Sequence, residues 1–314
     1  MSNHINKMYI PKNILVTGGC GFIGSNLVDR LAAEGHHVVV IDNLSADSND
    51  KFYFSESPNV SYVHENILNA EAVDICTTGC DHVFHLAAES RIGPTLEDPA
   101  KACQVNFVGT CNVLQSALKH KVKSVVYSST SACYGLATKL PQKETDKIDN
   151  LNPYSVSKYA GEDLCSMFHK LWGLNVVNLR YFNVYGERMP TRGIYAPVIG
   201  VFLKQKSQGE TLTVVGDGLQ RRDFVHVQDV VSANILSSMR SSCYGKSYNV
   251  GTGKSFTVLE IAKFISENFR HLPPRIGEAR DTQADYSELT KDAGWVPKYN
   301  LFDWVASQID FDAP

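Results

Sequence analysis

Tyr154 and Lys158 stand four apart in "NPYSVSKYAGEDLCSMFHKLWG". On a helix that spacing puts both side chains on one face. A tyrosine with an ordinary pKa of about 10 is a poor base at neutral pH. A neighbouring ammonium favours its phenolate. Such a pair can take a proton from a hydroxyl while hydride leaves the same carbon, and the lysine can also hold a ribose. Upstream, "YSSTSACYG" presents hydroxyls, above all Thr130, that can bond the reacting oxygen and orient Tyr154. The Y-x-x-x-K spacing is common by chance, and a Ser/Thr-rich loop often bonds only its own backbone. The pair gains meaning only beside a hydride acceptor.

The segment "ILVTGGCGFIGSNLVDRLAAEGHHVVVIDNL" supplies one. Gly18, Gly19, Gly21 and Gly24 match both G-x-G-x-x-G and G-x-x-G-x-x-G. Glycines let the backbone turn tightly and approach a pyrophosphate, and the following helix offers unpaired N–H groups to its oxygens. Placed between a strand and a helix, the motif points to a dinucleotide. Asp42 lies 18 residues past Gly24, at the tip of the second strand. Its carboxylate suits two ribose hydroxyls and repels a 2′-phosphate, and no Arg or Lys comes after it until Lys51, which favours NAD over NADP. Asn66 and Ile67 are expected to border the adenine. Ala87 and Ala88 leave room for pyrophosphate and ribose at a strand's carboxyl end. Phe22, Ile23, Asn43 and Leu86 complete the expected cofactor lining.

These residues need a scaffold. "KNILVTG", "HVVVIDN", "VSYVHENI", "DHVFHLAA", "KSVVYSSTSA" and "LNVVNLRYFNVYG" read as six short strands. "SNLVDRLAAEGH", "PAKACQVNFVGTCNVLQSALKHK" and the Tyr154 segment read as helices between them. Alternating helices and apolar strands predict a parallel sheet covered on both faces. Past about residue 185, "GERMPTRGIYAPVI" and "TLTVVGDGLQRRDFVHVQD" are richer in Gly, Pro and charge. Further on, "VVSANILSSMR" and "VLEIAKFISENF" read as helices and "SYNVGTG" as a strand. The expectation is an α/β chain. Residues 12–182 form a doubly wound domain with the catalytic groups, and 183–314 a smaller α/β substrate domain with segments able to rejoin the first sheet.

Composition bounds the function. The 314 residues are 43% hydrophobic and 20% charged, with net charge -3, which is ordinary globular composition. No basic run marks a nucleic-acid partner. No stretch reaches 18 apolar residues, and the leader "MSNHINKMYIPKN" has no apolar core, so no membrane span or secretory signal is expected. The eight cysteines form no CxxC pair, as for reduced thiols in a cytoplasmic protein. No HExxH occurs among the ten histidines, and no metal site is expected. His226 reads as structural.

TGGCGFIG, Asp42, SSTSACYG, Tyr154-x-x-x-Lys158, RYFNVYG and RRDFVHVQDV together resemble the extended short-chain dehydrogenase/reductase family, on its nucleotide-sugar epimerase and dehydratase branch. The resemblance spans about residues 13 to 305. It implies a Rossmann-type NAD domain, a nucleoside-diphosphate sugar in the smaller domain, and tightly held NAD recycled within each turnover. It also implies a homodimer through a four-helix bundle made by the helices around 102–119 and 153–171. Carried over by position, Thr130, Tyr154 and Lys158 are the catalytic triad, and Asn106 is the asparagine near the active-site helix. Tyr181 and Asn183 lie beside nicotinamide and sugar diphosphate. Arg222 and Arg275 are the diphosphate arginines, and Glu278 is the acid holding a ribose hydroxyl. Ser90, Ser131 and Val198 join the implied substrate lining.

Members of the branch differ in the step after oxidation at C4. A 4,6-dehydratase uses an Asp-Glu pair after the threonine, and UDP-glucuronate decarboxylases typically carry Glu at the position of Ala132. Here Ser131 and Ala132 come directly after Thr130, and neither does general acid/base work at neutral pH. That favours 4-epimerisation of a UDP-sugar, uridine being the family's usual base. Thr282 resembles the position where a bulky tyrosine restricts some glucose/galactose epimerases. A small residue leaves space for N-acetylglucosamine/N-acetylgalactosamine as well as glucose/galactose. The other readings are the dehydratase, the decarboxylase, and a catalytically silent NAD-sensing or scaffold protein.

Overall fold

The computed structural model describes residues 12–46, 51–136, 139–192, 196–275 and 277–310. Most of the leader, residues 193–195 of "GERMPTRGIYAPVIG", and the last four residues lie outside the described residues. The strands are β1 (Asn13–Thr17), β2 (His37–Asp42), β3 (Val60–His64), β4 (His82–His85), β5 (Ser124–Thr130), β6 (Val176–Tyr181), β7 (Asn183–Tyr185), β8 (Leu212–Val215), β9 (Arg221–His226), β10 (Lys246–Val250), β11 (Ser255–Thr257) and β12 (Phe269–Leu272). The helices are α1 (Phe22–Ala33), α2 (Ala70–Thr77), α3 (Ile92–Glu97), α4 (Pro99–Cys103), α5 (Thr110–Lys119), α6 (Pro153–Trp172), α7 (Val198–Ser207), α8 (Val227–Ser238), α9 (Val258–Ile265), α10 (Ser287–Ala293) and α11 (Leu301–Asp310).

Seven strands form a parallel sheet in the order β10-β6-β5-β4-β1-β2-β3. Such strands are buried on both sides, which is why β4 and β6 read as continuous runs rather than alternating ones. Leu27, Val28 and Leu31 of α1, with Val230, Val231 and Ala233 of α8, fill one face. Val73 of α2, Val113, Leu114 and Ala117 of α5, and Cys165 and Phe168 of α6 fill the other. The doubly wound sheet read from the alternation is therefore present. A smaller α/β region comes after it, built on the sheets β11-β9-β7 and β12-β8 with α7, α9 and α11 around their own core. "SYNVGTG" does rejoin the first sheet, as β10 beside β6.

Several features differ from the expectation, among them the helix read over "VLEIAKFISENF", which ends at Ile265 before Phe269 opens β12. "LNVVNLRYFNVYG" is two strands: the chain leaves the large sheet after Tyr181, and Phe182 N–H bonds Val250 O at 3.0 Å before β7 joins β9. The helix expected from Pro99 is interrupted by a wider π-helical turn, Gln104–Gly109. There Asn106 bonds Glu89 of another loop, and a Cβ on Gly109 would lie 2.6 Å from Ile67 Cδ1. Helix α2, capped by Asn69 on Ala72 N–H, is not among the helices read from the sequence. Among the described residues, no helix is long and apolar enough to cross a membrane.

Candidate active site

The glycine turn closes β1 onto α1. Gly18 has φ +71°, and a Cβ there would lie 2.7 Å from Ala87 N. Only glycine tolerates both the left-handed backbone and that approach. A Cβ on Gly24 would strike the Gly18 carbonyl. Gly21 caps α1 without a side-chain bond, and no acid occupies the first turn, so the positive end of the helix dipole is left uncompensated. Asp42 folds the turn as well: its Oδ2 accepts the Cys20 N–H and its Oδ1 the Leu44 N–H, each at 2.9 Å. Burial, then Asp42, push the Cys20 thiol up to about 12, so it is inert.

A cleft of about 330 Å³ opens over this turn. Gly18, Gly21, Phe22, Ile23, Gly24, Asp42, Asn43, Asn66, Ile67, Leu86, Ala87 and Ala88 line it, together with Tyr154, Lys158 and Tyr181. A glycine cradle, an open helix N-terminus and a carboxylate at the tip of β2 fit a dinucleotide with a free ribose 2′-hydroxyl. Asn106 is the one expected cofactor residue outside the lining. It is 1% exposed: Nδ2 donates to Glu89 O and Ser157 Oγ, both at 2.9 Å, and Oδ1 accepts Glu89 N–H at 2.8 Å. It ties the loop after β4 to α6.

A second cleft of about 340 Å³ adjoins the first and holds Ser90, Thr130, Ser131, Asn183, Val198, Arg222, Arg275, Glu278 and Thr282. Tyr154, Thr130, Tyr181 and Ser90 line both clefts and so stand at their junction. Arg91, Phe182, Val184 and Pro197 share that position and were not singled out from the sequence. The cue for Arg91 was its place just beyond a strand's carboxyl end, next to Ser90. At the far end of the second cleft, Arg222 Nη2 and Arg275 Nη1 each lie 3.4 Å from Glu278. Arg222 Nη1 donates to Arg280 O at 2.9 Å. Thr282 Oγ1 accepts from Asp223 N at 3.3 Å and from Asn183 Nδ2 at 3.4 Å.

Helix α6 carries Tyr154 and Lys158. Asn152 caps it by accepting Ser155 N–H, Ser155 returns the bond in a capping box, and Pro153 sets the first turn. Tyr154 comes next, beside Thr130, whose Oγ1 accepts the Ala132 N–H at 3.1 Å. Burial raises the Tyr154 pKa, and the Thr130 hydroxyl opposes that rise. Lys158 is 2% exposed, with Nζ 4.2 Å from the Tyr127 ring centre. Burial brings it down to about 7, and Glu162, one helical turn on, opposes that fall.

Residues 14–251 match the model of the NAD dependent epimerase/dehydratase family. The chain is 33% identical over 306 residues to a UDP-glucose 4-epimerase of Mycolicibacterium smegmatis, covering 95% of this chain and 97% of that protein. It is 36% identical over 263 residues to a UDP-N-acetyl-alpha-D-glucosaminuronate decarboxylase of Bacillus cytotoxicus, covering 82% and 80%. The structure superposes with a TM-score of 0.85 on Thermus thermophilus UDP-glucose 4-epimerase in complex with NAD, at 30% identity over 96% of this chain and 98% of that one. The cradle, the junction and these matches agree: the chain is an NAD-binding enzyme of the NAD dependent epimerase/dehydratase family.

Proposed function

We propose that the enzyme inverts C4 of a UDP-hexose through a 4-keto sugar, with Tyr154 as the base. One observation carries this reading: Tyr154 and Thr130 meet where the two clefts join, and the positions after Thr130 are Ser131 and Ala132. Thr130 bonds the sugar oxygen and holds the phenol in line. Tyr154 takes the hydroxyl proton and returns it. Lys158, one helical turn away, supplies the positive charge that favours the phenolate. When bound, NAD supplies a two-electron acceptor that serves first in oxidation and then, in reverse, in reduction of C4. Gly18, Gly21 and Gly24 hold its diphosphate and Asp42 its adenosine ribose. Arg222 and Arg275 fork onto the sugar diphosphate. Ser131 and Ala132 supply no acid/base group for loss of water or carbon dioxide from the sugar.

The small Thr282 side chain supports substrates with a 2-acetamido group, UDP-N-acetylglucosamine and UDP-N-acetylgalactosamine, alongside UDP-glucose and UDP-galactose. The enzyme works as a homodimer joined through α5 and α6. Val108 on the π-helical turn is 47% exposed, and Val156, Leu171 and Trp172 on α6 are 49%, 66% and 51% exposed, and covering such apolar side chains favours association.

The test is direct. The purified protein is incubated without added NAD with each of the four UDP-sugars and, separately, with UDP-glucuronate, and products are separated by chromatography. Formation of the C4 epimer supports the proposal. A 4-keto-6-deoxy sugar, or a pentose from a UDP-hexuronate, overturns it.

A further inference from the structure

Glu162 and Arg180 form an ion pair in which both side chains are 4% exposed. Arg180 Nη2 donates to Glu162 Oε1 at 2.6 Å, and Nε donates to both carboxylate oxygens at 3.2 and 3.1 Å. Burying such a pair is expensive, and apolar residues of similar volume often stabilise a fold as well or better. Its other bonds give it a purpose. Ser129 Oγ donates to Glu162 Oε2 at 2.6 Å, and Ser129 directly precedes Thr130. Arg180 Nη1 donates to the Tyr134 hydroxyl at 2.8 Å, and Tyr134 ends the short turn that Thr130 begins. The pair therefore grips the chain on both sides of Thr130. Glu162 itself continues the stripe Tyr154, Lys158, Glu162 along one face of α6. Ser247 of β10 closes the network, donating to Glu162 Oε1 at 2.7 Å.

We propose that Glu162 and Arg180 are positioning residues: they fix the Thr130 turn against the helix face that carries Tyr154 and Lys158, and Glu162 keeps that face cationic. The inference rests on the epimerase reading above. The titratable and charged groups facing Lys158 are His85 on β4, Tyr127 on β5, and Glu162 and Cys165 on α6, with Arg180 of β6 paired to Glu162; Tyr154 stands one helical turn before Lys158. Burial brings His85 down to about 3 and raises Tyr127 and the Cys165 thiol, so all three are neutral near pH 7. That leaves Glu162 as the anion of the set. Without it, Lys158 loses its proton at lower pH, and the alkaline limb of the activity profile moves down.

The test uses NAD-loaded protein and compares Glu162→Gln with the double variant E162Q/R180M. The single variant strands a buried guanidinium and loses stability. The double variant removes both charges and keeps the volume. The expected result for the double variant is a thermal midpoint close to wild type, KM nearly unchanged, and kcat down about 100-fold, the scale of a 1 Å misplacement. Its alkaline limb should also lie at lower pH. A 15N-lysine NMR titration reads Lys158 without turnover, and its midpoint should fall. If the double variant does not fold, Ser129→Ala and Tyr134→Phe cut the two links and leave the pair intact; each should lower kcat about tenfold at unchanged fold. Wild-type kcat and pH profile in E162Q/R180M, or wild-type kcat in both link variants, overturns the proposal. A wild-type protein that epimerises nothing defeats the functional reading instead, and the lysine titration still decides the charge role.

Discussion

Arg222 Nη2 lies 3.4 Å from Glu278 Oε2, so the cation proposed to bind diphosphate rests beside the acid proposed to bind ribose. Burial lowers the Arg222 pKa and Glu278 opposes that, yet a guanidinium stays charged at any working pH. Arg222→Met should keep the fold and weaken UDP by roughly 10- to 100-fold, the loss of about 1.5–3 kcal/mol for a bond to a charged group. Calorimetry with UDP on NAD-loaded protein measures it. Unchanged affinity would remove Arg222 from the diphosphate site.

Asp42 has two tasks that a substitution can separate. Its carboxylate already accepts the Cys20 and Leu44 N–H groups, and the ribose is the proposed further partner. Asp42→Ala should lower both thermal stability and the NAD carried through purification. Asp42→Asn keeps one acceptor oxygen and should lose less of each. Chromatographic assay of released NAD, beside a melting curve, checks the order.

Lys158 gives a pH signature. Its pKa in the fold is about 7, against about 10.4 in an unfolded chain. Below pH 7 both states hold the proton and the full burial cost is present. Between pH 7 and about 10 the unfolded chain binds more protons, so wild-type stability rises with pH. Lys158→Met should be the more stable protein at pH 6, by an amount on the order of a few kcal/mol, with the advantage shrinking toward pH 10. Denaturant unfolding at both pH values measures it, and a pH-independent difference would contradict the assignment.

The substrate reading turns on Thr282, which is 6% exposed and lines the second cleft. Thr282→Tyr should lower kcat/KM for the N-acetyl sugars at least tenfold more than for UDP-glucose. Equal losses on both would show that the residue does not set the space at C2.

The large sheet and most of the lining of the two clefts were legible because their chemistry restricts residue types at fixed spacing. Gly18 must be glycine for its φ and its approach to Ala87, and Tyr154 with Lys158 must be four apart to share a face. Legibility failed where tertiary contacts decide. Nothing local splits Tyr181 from Asn183; the break comes from Phe182 bonding Val250, sixty-eight residues later. Asn106 carried the right signal, a polar residue near the site, but its amide is spent on Glu89 and Ser157 rather than aimed into the cleft. Glu162 and Arg180 look like surface charges in sequence, yet each side chain is only 4% exposed.

The central claim is that the Tyr154 phenol moves the proton at C4, and one substitution tests it. Tyr154→Phe removes the hydroxyl and little else from the junction of the clefts. With the sugar pair that the wild-type enzyme interconverts, the variant should lose at least about a thousandfold in kcat, the range of general-base catalysis, while NAD content and melting temperature stay near wild type. Epimerisation by Tyr154→Phe at the wild-type rate would contradict the account.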